Sequence, residues 1–179
     1  MIILIKINMK KNTFFEKIAA PEPIHLMTEV TSILDSICKT ANAGYNNYTK
    51  YARDVDDYYQ GDPWCAMFIS WCMMKTYGRN TAKKLLKDWP YVACRYLPYY
   101  LPSYNTPKKG DIVLFYNGSD YEHTGLVTKV QGARFWTIEG NTKKITEVIP
   151  EGYCVCEKSY YIKTLPKVKF CRPQYQIAV

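Results

Sequence analysis

The sequence predicts an α+β fold, with helices first and an antiparallel sheet second. In the first half, apolar residues recur at three- and four-residue spacing. In the second half the period changes to short apolar runs separated by turns containing Gly, Asn or Asp. Length is the third observation: 179 residues suffice for one domain with a substantial core and a short extension, and hardly for two. Residues 1–25 read as that extension and 26–179 as the domain, with no internal repeat, low-complexity segment or linker between them.

The extension holds a short apolar-basic segment and then Ala19-Ala20-Pro21-Glu22-Pro23. From Leu26 the positions Leu26, Met27, Val30, Ile33, Leu34 and Ile37 keep helical spacing to about Lys39. Thr28 is the candidate cap, and Ala41-Asn42-Ala43-Gly44 the end. A polar-aromatic segment, 46–61, leads into a central helix. There Trp64, Phe68 and Trp71-Cys72 recur at helical spacing after Pro63, and Gly78 stops the run. Asp62 is the candidate N-cap, a carboxylate able to accept from an unsatisfied first-turn amide. A short helix is expected over 81–87. Prolines at 90, 98, 102 and 107 then argue for a long irregular connection.

Strands come next. Asp111-Ile112-Val113-Leu114-Phe115-Tyr116 is the first, and Asn117-Gly118-Ser119-Asp120 a turn. The second strand opens at His123 and ends at the Gln131-Gly132 turn. Arg134-Phe135-Trp136-Thr137-Ile138-Glu139 is the third, closed by Gly140-Asn141, and 153–162 reads as a last long strand.

Composition excludes several classes. Lys and Arg outnumber Asp and Glu by 24 to 16, a formal +8, but the lysines are scattered in twos and no nucleic-acid motif accompanies them. Anionic polymers suit this charge; nucleic acid is not an expected partner. Seven cysteines is an odd number without framework spacing. Cys154-x-Cys156 would share one strand face and has no second pair to complete a zinc site, so mostly reduced thiols and no metal are expected. The apolar run at residues 1–8 is too short and too early for a signal peptide, and nothing approaches a membrane-spanning length. The 17 tyrosines and 4 tryptophans supply rings that pack on strands or stack on sugars.

One stretch carries chemistry. Behind Pro63, Cys65 falls in the first turn of a helix, where the partial positive charge of the N-terminus favours the nucleophilic thiolate. The competing reading is a small core thiol in an apolar helix. A cysteine nucleophile needs a base, and the chain offers two histidines, His25 and His123. His25 lies in a Pro-rich lead-in, a poor setting for a rigid catalytic group. His123 follows a turn at a strand end, which can hold its ring over a helix terminus. A catalytic imidazole also requires a group that fixes its tautomer. Glu139 and Asn141, at the end of the neighbouring strand, are the candidates.

Together these residues resemble the cysteine- and histidine-dependent amidohydrolase/peptidase (CHAP) family of cell-wall hydrolases, a branch of the papain-like fold. The resemblance rests on Pro63-Trp64-Cys65-Ala66-x-Phe68-Ile69-Ser70-Trp71-Cys72, Gly110-Asp111-Ile112-Val113-Leu114-Phe115, His123-Thr124-Gly125-Leu126-Val127 and Ile138-Glu139-Gly140-Asn141-Thr142. The ending Val155-x-Glu157-Lys158-Ser159-Tyr160-Tyr161 and the Cys171-Arg172-Pro173 tail add to it. It covers roughly residues 42–175; the Tyr- and Pro-rich loop at 89–107 is long for the family, and residues 1–25 match none of its motifs. It implies a papain-like fold with Cys65 as nucleophile, His123 as base, Glu139 as orienter and Asn141 as an accessory polar group.

The expected activity is cleavage of an amide bond in peptidoglycan, as amidase or endopeptidase, with no metal or cofactor. The rivals are a papain-like protease or deamidase toxin acting on a protein, and an inactive wall-binding module. A monomer made in the cytoplasm without a signal peptide is expected, reaching the wall with the help of a holin or a secretion or injection machine.

Overall fold

The computed structural model of the protein describes residues 47–142, 154–165 and 167–178. The expected extension, the helix at 26–39 and His25 lie outside the described residues. Helices occupy the first part of the described chain and an antiparallel sheet the second, the α+β arrangement of a papain-like fold.

Helix α1 (Lys50–Val55) was not anticipated by apolar spacing. It is a short piece started by Thr49, whose hydroxyl accepts from Ala52 N at 3.3 Å, and it is held by burial of Tyr51, Ala52 and Val55. Helix α2 (Cys65–Tyr77) is the expected central helix, buried over most of its length and ended by Gly78 at φ 79°. Asp62 does not cap it. The N-cap is Trp64, which makes no side-chain capping bond, while Asp62 and Pro63 are exposed just upstream. Aromatic packing sets the start instead: Trp64 stacks on Tyr51 at 5.0 Å, and Tyr51 meets Phe68 and Trp71 edge-on at 5.2 Å. Burying rings of this size outweighs the roughly 1 kcal/mol of a cap. Helix α3 (Arg79–Leu86) lies close to its expected place.

The proline-rich connection is more regular than expected. It contains a 3₁₀ turn (Cys94–Tyr96), a one-turn helix α4 (Leu97–Tyr100) with Pro98 in its first turn, and strand β1 (Ser103–Tyr104). Pro98 is tolerated there because a first-turn amide has no intrahelical acceptor.

The remaining strands are β2 (Ile112–Tyr116), β3 (Tyr121–Gln131), β4 (Arg134–Thr142), β5 (Cys154–Tyr161) and β6 (Val168–Cys171). They form one sheet in the order β1-β6-β2-β3-β4-β5, antiparallel throughout. Three expectations need correction. The second strand opens at Tyr121, so His123 lies inside it. The third runs on through Gly140 and Asn141 to Thr142, with a bulge between Glu139 and Thr142. The long strand at 154–161 is not the last, since β6 inserts between β1 and β2. Four residues containing Lys169 give too brief a pattern to be read as a strand without the partner strands.

Both faces of the sheet are covered. Ile112, Leu114, Leu126 and Ile138 join the helices in the main core. Val113, Phe115, Val127, Phe135, Tyr160 and Phe170 make a second cluster on the other face. This two-sided burial is why 112–116 reads as an unbroken apolar run. Asp111, fully buried, fixes where β2 begins: it accepts a bidentate pair from Arg172 at 2.7 and 2.8 Å and the Lys108 amide at 2.7 Å. Two motifs far apart in the chain thereby meet.

Candidate active site

Cys65 is the first residue of α2, and the Ala66 amide of the same turn bonds its sulfur. Gly140 decides how near β4 comes to this helix. A Cβ there would stand 2.6 Å from Phe68 Cβ and 2.9 Å from a Trp64 ring carbon. The absence of a side chain at 140 therefore lets the strand press against the first two turns of α2.

His123 comes from β3, opposite Phe115 of β2, on whose ring it stacks at 5.7 Å. Its Nε2–H donates to Glu139 Oε2 at 2.9 Å. Glu139, on β4, is completely buried, and loss of water costs a carboxylate several kcal/mol unless donors replace it. They do: Thr137 Oγ1 donates to Oε1 at 2.6 Å, Tyr160 OH donates to the same oxygen at 2.9 Å, and Lys158 Nζ lies 3.7 Å from Oε2. Space for the carboxylate exists because residue 125 is glycine; a Cβ on Gly125 would fall 2.6 Å from Glu139 Cγ.

The second ring nitrogen of His123, Nδ1, is buried without a hydrogen-bond partner, which leaves it for the Cys65 thiol. The hydrogen bond with Cys94 and the electrostatic attraction of His123 hold Cys65 well below the usual thiol range against the opposing effect of burial. Burial would depress His123, yet its interactions with Cys65 and Glu139 raise it from 6.5 to about 9. Burial likewise raises the Glu139 carboxyl, and His123 and Lys158 overcome it and bring it below its ordinary value. At neutral pH this favours thiolate, imidazolium and carboxylate in one buried cluster, with Lys158 Nζ beside the carboxylate.

Cys65 also opens onto a cleft of about 520 Å³, lined by Pro63, Val92, Cys94, Arg95, Asp120 and Glu122 among others. Arg95 pairs with Asp120 across it at 3.1 Å. In its thiol form Cys65 can donate to the Glu122 carbonyl 3.9 Å away.

Three of the four candidates from the sequence are thus brought together. The fourth, Asn141, is buried on the bulge at φ 54°, so strand alternation does not govern its direction, and the bond to His123 Nε2 comes from Glu139. The sequence reading missed Thr137, Lys158 and Tyr160 around the carboxylate. Thr137 was findable, two residues before Glu139 on one strand; Lys158 and Tyr160 depend on the register of β5. Nor did it single out Cys94, which lies against Cys65 with sulfurs 3.7 Å apart. Among the described residues no group of His, Cys, Asp and Glu is arranged to hold a metal ion, and no helix is long and apolar enough to cross a membrane.

Fold and site define a papain-like α+β domain with a cysteine at a helix start and a histidine–carboxylate pair on the sheet. The family model for the CHAP domain matches residues 57–141, which span Cys65, His123, Glu139 and Asn141. Residues 57–141 are thus similar to the CHAP domain, which suggests a family of peptidoglycan hydrolases, typically cysteine amidases or peptidases. Comparison with curated proteins and with solved structures finds no match to either.

Proposed function

We propose that the protein hydrolyses an amide bond of peptidoglycan, with Cys65 as nucleophile, His123 as proton carrier and Glu139 as the group that orients and charges the imidazole. The single observation carrying this reading is the buried His123–Glu139 pair at 2.9 Å, its other ring nitrogen left to a helix-start cysteine. The thiolate attacks the amide carbonyl from the cleft side, and His123 delivers its proton to the leaving amine. The Cys65 amide, first in α2 and so without an intrahelical acceptor, supplies a donor for the oxyanion. Water then attacks the thioester with His123 as base. Asn141 serves as an accessory polar group on the bulge. Formal charge of +8 suits an anionic wall polymer.

Digestion of purified peptidoglycans and weighing of the released fragments tests this. Soluble fragments carrying a new amine and a new carboxyl at one bond are expected, and none from a Cys65→Ala variant. Absence of products from every wall type, together with Cys65-dependent cleavage or deamidation of a protein, would replace the substrate while keeping the chemistry.

A further inference from the structure

Cys94 is not a reacting group in the proposed hydrolysis, although its bond helps to hold Cys65 low, and its sulfur lies 3.7 Å from that of Cys65. The two residues are 29 apart in the chain and reach each other from different elements, the start of α2 and the 3₁₀ turn before α4. Both line the same cleft, so a small solute entering it meets both sulfurs. The other cysteines with described side chains, Cys72, Cys156 and Cys171, are buried and do not line it.

We propose that Cys65 and Cys94 form a reversible oxidation site, which a peroxide-class oxidant closes to a disulfide, switching the hydrolase off. The off-state rests on the reading of Cys65 as nucleophile; the disulfide itself does not. In the first step the Cys65 thiolate attacks one peroxide oxygen, the O–O bond breaks, and hydroxide leaves to become water with the His123 proton. Cys65 is then a sulfenic acid. In the second step the Cys94 sulfur attacks the Cys65 sulfur, the S–O bond breaks, and the Cys94 proton leaves with the hydroxyl as water. Two thiols and one peroxide give one disulfide and two waters; the sulfurs are oxidised and the peroxide reduced. The sulfurs must close from 3.7 Å to the ~2.05 Å of a disulfide.

The electrostatics order these steps. Cys65, held low, is the sulfur that reacts first. Cys94 is held well above the usual thiol range, chiefly by its bond to Cys65 together with burial and the Cys65 charge. It therefore stays a thiol while Cys65 is a thiolate. Oxidation to sulfenic acid removes that charge, so Cys94 becomes more acidic only once there is a sulfenic acid to attack. A thiol reductant reverses the bond by exchange.

The test treats the full chain with hydrogen peroxide, alkylates free thiols and digests with trypsin. Cys65 and Cys72 fall in peptide 54–75 and Cys94 in peptide 88–95. A linked pair of these peptides, with fragmentation placing the bond on Cys65, is the expected result, together with loss of peptidoglycan hydrolysis and its return with dithiothreitol. In Cys94→Ala and Cys94→Ser, each compared with its own untreated sample, the same dose should add two or three oxygens to Cys65, and dithiothreitol should not restore activity. Over-oxidised Cys65 in the wild type without the linkage, or a link from Cys65 to Cys72 or Cys171, overturns the dithiol site while leaving the nucleophile reading intact. A linkage formed with activity unchanged overturns the switch by way of the nucleophile reading instead.

Discussion

The two nitrogens of His123 look onto opposite kinds of surroundings. On the Nε2 side, Glu139 is bonded by Thr137 and Tyr160 and approached by Lys158, in an apolar cluster closed by Phe115 and Phe135. On the Nδ1 side there is a single thiol at a helix start, a second sulfur and an open cleft. One side is over-determined and the other is left room. That difference teaches how a buried carboxylate can work here: fixed donors hold its charge without water, so that the field it exerts on the ring is already in place before any substrate arrives.

The largest expected effect comes from emptying the open side. Cys65→Ser should lower turnover by orders of magnitude, because the hydroxyl has no comparable anion to offer, while the unfolding transition stays close to wild type. Cys72→Ser, on the same helix but two turns away, should remain active. An active Cys65→Ser enzyme, or a dead Cys72→Ser, would leave the open side without a catalytic function.

Next in size is neutralising the closed side. Glu139→Gln should cut turnover by roughly 10- to 1000-fold, at or below the ~10⁴ loss of a triad orienter elsewhere. It should also move the pH profile. His123 is raised to about 9, so the thiolate–imidazolium pair, and with it activity, should fade as pH rises through that value. Without the carboxylate the ring releases its proton sooner, and the alkaline limb should shift to lower pH. Stability has the same sign: the contribution of a raised histidine is complete below 6.5 and disappears as pH rises through about 9. Urea unfolding on either side of that window should show a smaller drop in Glu139→Gln than in wild type. The activity loss should not add to that of His123→Ala, since the pair acts as one unit. Wild-type turnover and profile in Glu139→Gln, beside a dead Asn141→Ala, would give the orienting role to the asparagine.

Two glycines separate placement from packing. Gly125→Ala would push directly on the Glu139 side chain, so activity should suffer more than stability. Gly140→Ala would drive β4 off Phe68 and Trp64, at a cost of about 1–3 kcal/mol in denaturant unfolding. Equal stability losses without an activity difference would mean that the carboxylate is less tightly placed than its contacts imply. The smallest effect belongs to Tyr160→Phe, which removes one of two donors to Glu139 Oε1. A stability loss of about 1 kcal/mol is expected, with a modest fall in turnover. A loss as large as that of Glu139→Gln would show that the carboxylate depends on this one hydroxyl.

The order of elements and the motif-bearing residues were legible because both rest on local pattern: helical spacing around Trp64 and Phe68, an apolar run at 112–116, and turns rich in Asn and Gly. What escaped depends on tertiary contact. Trp64 rather than Asp62 caps α2 because Tyr51, thirteen residues earlier, stacks on it. β6 is a strand because β1 and β2 flank it. Asn141 does not obey strand alternation, because the β4–β5 pairing slips by a bulge. Cys94 lacked any local cue, its significance being a distance to a residue 29 positions away.

The place of β6 also constrains the order in which the chain can mature on the ribosome. The sheet is not built outward strand by strand; residues 168–171 fill a slot between β1 and β2, and Arg172 then locks onto Asp111. Until those residues leave the exit tunnel, β2 presents a bare edge and Asp111 a buried charge without its cation, both poor conditions for a settled fold. Cys65, His123 and Glu139 are all synthesised earlier, yet the sheet that holds two of them is completed by a strand made after all three. A chain stopped before residue 168 would carry every candidate catalytic side chain yet lack the strand between β1 and β2 and the cation that pairs with Asp111.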